Sequence, residues 1–368
     1  MLNRLSVRVA ALAGATALIT ACSGGGLNGG IPSAGQSPVQ TSGVREKTAR
    51  PMFLAFRYTG PITNTLKPGA LPTWNGSFAY NGHTYNYTMV GTNPASNNTT
   101  TTIPVTVIPI KITIGKTIFS PNKKLSNGRT VLRNMMVSPL FKNEVDFNQG
   151  GTDLGKTQYI DAFQRGNFWN GVHTNTNYHV VLKPTVAPIV AMKNPPGSSI
   201  GNYFGAKVGL VDYNWMDGQL QSIVSSMNIP AGTLPLFITR NVYETFSGSG
   251  CCVGGWHNYN GTNVYAIATY VDVAGAFSQD VSAFSHEIGE FYDDPYVNNY
   301  PYCGGLLEVG DPLEGNPNYG GYPYTVNNFT YNLQDLVWLP YFGAPTSTSA
   351  NGWSTFQGEK LSVCQNGQ

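Results

Sequence analysis

His286, Glu287 and Glu290 are the residues whose types and spacing first suggest chemistry. Imidazole nitrogen and carboxylate oxygen both bind zinc well. A His and a Glu four residues apart on a helix lie side by side and can share one cation. Glu287 projects about 100° around the same helix from His286. There a carboxylate can take a proton from a metal-activated water. A zinc site of this kind needs a third protein ligand, and Asp293, Asp294, Glu308 and Asp311 follow in the chain. A helix turn joined by a later segment wraps an ion on two sides, so Glu308 or Asp311 is expected ahead of the nearer Asp293 and Asp294. The hard oxygens of Asp293, Asp294 and Asp311 also suit Ca2+ as a second choice.

The elements around these residues must present them. Asp280 is expected to cap a helix that starts at Val281 and ends before Pro295. At helical period Val281, Phe284, Ile288, Phe291 and Tyr292 share one side, which must face a core. His286, Glu290 and Asp293 fall within about 60° of one another on the opposite side and are expected to face a cleft or solvent. A strand over Val264–Val271 feeds this helix. His257 lies before that strand. It is expected either to steady a ligand or substrate, or simply to pack beside Trp256. Tyr292 flanks the site with Tyr296, Tyr300 and Tyr302, and one such hydroxyl can steady an oxyanion or a substrate group. His83, His173 and His179 read as structural.

Away from the site, the first twenty-one residues carry Arg4 and Arg8, an apolar run and small residues before Cys22. This is the layout of a secretory signal. It reads as a lipoprotein signal, with Cys22 as the lipid-bearing first residue and plain secretion as the alternative. The expected location is extracytoplasmic, with membrane attachment only through that lipid. Residues 22–50 are Gly/Ser/Pro-rich and read as a flexible tether. Residues 51–150 read as β-rich: Asn81-Gly82 marks a hairpin, and Ile103–Ile114 alternates with a phase change near Pro109, expected as a bulge or an edge position. Residues 151–368 mix helices and strands, and 51–368 is also compatible with a single domain. Helices are expected over Thr157–Trp169 and around Met216–Met227, and strands over Leu234–Thr239 and Val264–Val271. The fold class is therefore α+β, with a β-rich first part and a mixed sheet that receives the helix at 281.

Removing residues 1–21 takes two arginines and no acid, leaving nineteen basic and nineteen acidic residues. That balance excludes a nucleic-acid partner, which needs a dense basic face. Cys251, Cys252, Cys303 and Cys364 are candidates for two disulfides in an exported chain. The expected pairing joins each of the neighbours Cys251 and Cys252 to one of the distant pair. A thiolate zinc site is the weaker alternative. No G-x-S-x-G elbow or Gly-rich phosphate loop competes with the acidic helix.

The stretch Ser285–Pro295, SHEIGEFYDDP, begins like the H-E-x-x-H signature of zincin-type metallopeptidases and sets Glu290 where the second His belongs. It also resembles the S-H-E-x-x-E-x-x-x-D-P stretch of bacterial secreted relatives of the plant phosphate-induced, EXORDIUM-like family. Gly250–His257 resembles that group's Cys-Gly-x-His segment, and Leu307–Asp311 its E-x-G-D stretch. The likeness spans roughly residues 248–311. It implies a zincin-like core, with His286, Glu287, Glu290, Glu308 and Asp311 carried over position by position. The family's Cys after E-x-G-D is replaced by Pro312 and Leu313. The function expected from all this is hydrolysis of peptide bonds in a peptide or protein substrate. A non-catalytic surface or adhesion protein with a structural metal is the alternative, and a glycan-binding wall protein is a third reading.

Overall fold

Strands dominate the structure, as the abundance of Thr, Tyr, Val and Ile in alternating runs demands. The computed structural model describes residues 52–55, 70–149, 152–246, 249–346 and 352–365. The expected signal, Cys22 and the tether lie outside them. All the described residues fall within one compact unit, Val44–Gln368. No helix among them is long and apolar enough to cross a membrane.

The first strand is β1 (Met52–Ala55). The hairpin β2 (Thr73–Tyr80) and β3 (His83–Val90) follows. Its Asn81-Gly82 link takes φ values of 48° and 77°, the turn the sequence predicts. Next come β4 (Thr100–Ile114), β5 (Thr117–Phe119), the short α1 (Val131–Met136) and the ribbon β6 (Val145–Gln149) with β7 (Thr152–Thr157). The helix expected over Thr157–Trp169 is α2 (Tyr159–Asn167), with a further turn, α3 (Trp169–Val172). Strands β8 (His179–Val186), β9 (Val190–Lys193), β10 (Ser199–Tyr203) and β11 (Ala206–Asp212) lead to α4 (Tyr213–Ser226). The Asp212 side chain caps α4 by accepting from the Trp215 N–H at 2.9 Å. Then β12 (Leu234–Arg240), β13 (Val242–Phe246), β14 (Ser249–Tyr259) and β15 (Val264–Tyr270) precede α5 (Ser282–Asp293). A second ribbon, β16 (Gly321–Val326) and β17 (Phe329–Gln334), closes the series.

Eleven strands form one mixed sheet in the order β10-β11-β13-β14-β15-β12-β4-β5, with β1 beside β14 and both β8 and β9 beside β4. The class is β-rich α+β. The sheet draws on both halves of the sequence, since β4 pairs in parallel with β12. Two apolar layers cover its faces. Phe284, Ile288 and Phe291 of α5 share one layer with Ile103, Val105 and Val107. Met216, Leu220 and Val224 of α4 share the other with Ile108, Ile110, Ile112 and Ile114.

This arrangement bears out part of the reading of β4. Its pairing with β12 runs without interruption from Val105 to Pro109, and β8 and β9 flank its other edge. On that other edge the ladder breaks at Pro109: β8 pairs up to Val107↔Val186 and β9 starts at Ile110↔Val190, with one extra residue on their side, so the expected irregularity lies opposite Pro109 while β4 itself runs on. The phase change marks where the strand stops burying one face and begins to bury the other.

The cysteine pairing also differs from expectation. Cys303 joins Cys364 with a Cα separation of 5.4 Å, and Cys251 joins Cys252. The fold brings residues 303 and 364 face to face, while Cys251 and Cys252 lie on β14 between β13 and β15. The Cys303–Cys364 bridge closes a loop containing Glu308, Asp311 and Gln334.

Glu244 on β13 shows what this interior does to a carboxyl group. It is buried and accepts from the Trp256 indole N–H at 2.6 Å. Burial pushes its pKa from 4.5 up to about 8, against the opposing effect of the Trp256 hydrogen bond. The unfolded chain loses this proton near pH 4.5 and the folded chain keeps it until about pH 8. Stability therefore falls as pH rises across that window. The shift corresponds to on the order of 5 kcal/mol. Glu244→Gln keeps an acceptor for Trp256 and removes the titration. Urea midpoints of the wild type are expected to fall more steeply between pH 5 and 8 than those of the variant, and parallel profiles would contradict this assignment.

Candidate metal centre

Three parts of the chain supply the candidate residues. The first is β14, whose side chains alternate between faces. Trp256 points into the α4 layer, against Tyr213 and Tyr265, with ring centroids 5.0 and 5.7 Å away. His257 points the other way, toward α5. Gly255 shares that face with it, and a Cβ there would lie 2.6 Å from Glu287 Oε1, so the glycine makes room for that carboxylate. His257 is therefore a member of the site and not the packing partner of Trp256.

The second part is α5. Its helical face and its end before Pro295 follow the sequence, and Asp294 has left helical geometry at φ −142° and ψ 62°. Two expectations about it are corrected. Asp280 is not the cap: it lies at φ 42°, and its carboxylate accepts from the Asn332 backbone and side chain at 2.9 and 2.6 Å. Nor does the polar face meet solvent, because all twelve helical residues are buried. One side of α5 packs on β14 and β15, and α2, β3 and β17 cover the rest. The apolar stripe locates one buried side correctly. The chain beyond Pro295 returns across the other.

The third part is that returning chain. Glu308 is buried, while the Asp311 side chain keeps 36% of its surface exposed. Gly310, between them, comes close enough to His286 that a Cβ would stand 2.7 Å from the imidazole Cγ. The Gly310 N–H also approaches Glu290 Oε1, at 3.3 Å.

Around Glu290 these parts converge. His286 Nε2 lies 2.8 Å from Glu290 Oε1 and 3.4 Å from Asp311 Oδ1. His286, Glu290 and Asp311 each offer a ligand atom within 4.8 Å of the others, and so do His257, Glu290 and Glu308. His257 Nδ1 stands 3.6 Å from Glu287 Oε2 and from Glu290 Oε2. His286 Nε2, His257 Nδ1, Glu290 Oε2 and both Glu287 oxygens are buried without a hydrogen bond. Such atoms are costly unless a proton or a cation compensates them. Two ligands about 2.1 Å from a tetrahedral zinc stand about 3.4 Å apart. The donor set and its spacing therefore fit a divalent cation.

The electrostatics have one origin. Burial opposes charge on every group. On His257 the adjacent Glu287 and Glu290 outweigh burial and push its pKa up to about 10. On His286 burial is outweighed chiefly by Glu290 and Asp311, and its pKa lies well above the usual range. Glu290 is held well below the carboxylate range despite burial, by His286 and His257. Burial pushes Glu287 up to about 8. The negative field that keeps protons on the imidazoles would equally hold a metal, which displaces them on binding.

Gln334, which sequence reasoning missed, fixes the chemistry of His286. Its Nε2 donates to the Gly310 carbonyl at 2.9 Å, so its Oε1 is left as an acceptor. That Oε1 lies 2.6 Å from His286 Nδ1, which must donate. Nε2, which faces Glu290 and Asp311, is then the nitrogen that gives up its proton when a metal binds, leaving the tautomer a metal needs. No spacing rule ties residue 334 to residue 286; only the packing of β17 against α5 does.

Other candidates are engaged elsewhere. Asp293 accepts from Gln164, and Asp294 accepts from the N–H groups of Asn298 and Asn299 at 2.9 and 3.1 Å. Neither belongs to either ligand group found among the described residues. The Tyr292 hydroxyl donates to the Val180 carbonyl at 2.9 Å and serves the core. Tyr296 packs against Tyr259, while Tyr300 and Tyr302 are exposed. Comparison of the chain with protein-family models, with curated proteins and with solved structures gives no match.

Proposed function

We propose that this protein is an exported, lipid-anchored, metal-dependent hydrolase of peptide bonds, with α5 in the role of a zincin-like active-site helix. The observation that carries the reading is the meeting of His286 Nε2, Glu290 and Asp311 within 4.8 Å, with one member open to solvent. His286, Glu290 and Asp311 would hold zinc, which supplies Lewis acidity when bound. Glu287, adjacent on α5 and outside both ligand groups, takes a proton from the attacking water and passes it to the leaving amine. Gln334 holds the imidazole in its working tautomer. The local resemblance to secreted EXORDIUM-like relatives supports the same residue set, and the lipoprotein-type leader supports export.

A second reading has its own support. His257, His286, Glu287 and Glu290 have no exposed surface, as suits a structural metal in a non-catalytic surface protein. The test is the metal content of the purified protein and of His286→Ala, with hydrolysis of a mixed peptide library before and after chelation. Bound zinc that falls in the variant, and hydrolysis that a chelator removes, are the expected results. Equal zinc in both proteins would overturn the site. Zinc bound without hydrolysis of any peptide would favour the structural role.

A further inference from the structure

Glu290 is placed to serve two ions. Its two carboxylate oxygens face different imidazoles: Oε1 lies 2.8 Å from His286 Nε2, and Oε2 lies 3.6 Å from His257 Nδ1. Each imidazole is anchored through its far nitrogen. His286 Nδ1 donates to Gln334 Oε1. His257 Nε2 lies 3.2 Å from the Asp294 carbonyl oxygen, which can only accept, so Nε2 carries the hydrogen. Both rings therefore turn inward the nitrogen that is left to ligate a metal, toward opposite oxygens of one carboxylate. His257 Nδ1 and Glu290 Oε2 are buried and lack a hydrogen bond, and their separation is too long for one. It is the separation two ligands of a shared cation adopt. Each side also has its own distal carboxylate, Asp311 with His286 and Glu308 with His257.

We infer that the protein binds a second divalent cation at His257, Glu290 and Glu308, with the Glu290 carboxylate bridging two metals. This rests on the proposal that His286, Glu290 and Asp311 hold the first. One nitrogen and two carboxylates per ion suit zinc, manganese, iron or cobalt. Ions bridged in this way sit about 3.5–4 Å apart, as in two-metal hydrolases. The inner ion, walled by buried groups, is the enclosed one; the outer ion lies at the edge opened by Asp311.

The test is titration of the metal-free full chain with Mn2+ alone, counting bound equivalents and recording the electron paramagnetic resonance spectrum. Two equivalents and the signal of a spin-coupled manganese pair are expected in the wild type. His257→Gln should retain one equivalent with an uncoupled signal, and Glu290→Gln should lose the coupling. One uncoupled equivalent in the wild type would overturn the second site and leave the first standing. No bound manganese or zinc would overturn both. The wild-type count and coupling decide the matter even where a buried variant misfolds, which thermal unfolding would reveal.

Discussion

Glu287→Gln is expected to lower the turnover of peptide hydrolysis by about 10²–10⁴-fold while leaving bound metal and thermal stability unchanged. The side chain lies 3.6 Å from His257 and belongs to neither ligand group. Its two oxygens are buried without a hydrogen bond, and the space they occupy exists because residue 255 is a glycine. Glutamine has the same shape and lacks the proton-accepting oxygen. It also fits the space beside Gly255 that the carboxylate occupies, so folding should tolerate it. Steady-state kinetics, metal analysis and a melting curve check the three parts separately. A variant that binds metal and turns over like the wild type would remove Glu287 from the mechanism.

Gly310→Ala should have the largest effect of any single methyl group near the site. The backbone there, at φ −93° and ψ −34°, is open to any residue, so no conformational penalty arises. The added carbon instead collides with the His286 ring. That ring cannot yield, because Gln334 holds its Nδ1 at 2.6 Å and the Phe53 ring lies 4.0 Å away on centroids. Overpacking of this kind costs about 1–3 kcal/mol. Displacing an oriented ligand weakens metal binding by about 10–100-fold. Gly315→Ala, where a Cβ meets nothing within 4 Å, is the control. Calorimetric metal titration and urea unfolding of the two variants should separate them; identical behaviour would refute the close approach of residue 310.

The sequence carries the helix and the pairing of His286 with Glu290 well, because an i, i+4 spacing and an apolar stripe are both local. It carries the surroundings badly. Hydrophobic period tells which side of α5 faces an apolar layer, but not whether the other side meets water or a returning chain. That return, through Gly310 and β17, is what buries His286 and supplies Gln334. His257 was ambiguous because strand alternation alone does not say which face of β14 meets α5. The phase change in β4 was visible, but its meaning depended on knowing that both faces of the sheet are covered. For the cysteines, the nearness of residues 303 and 364 is a property of the fold, and no spacing along the chain encodes it.

The wall over His286 includes a piece unlike the rest. Strand β1 is four residues long, and among the described residues its ladder pairing is with β14 alone. Its Phe53 covers the imidazole, and the Phe53 N–H donates to Glu314 at 2.7 Å. The molecule thus covers the His286 ring with a short strand laddered on one side only. Detaching β1 from β14 would uncover the imidazole while leaving α5 on its own supports.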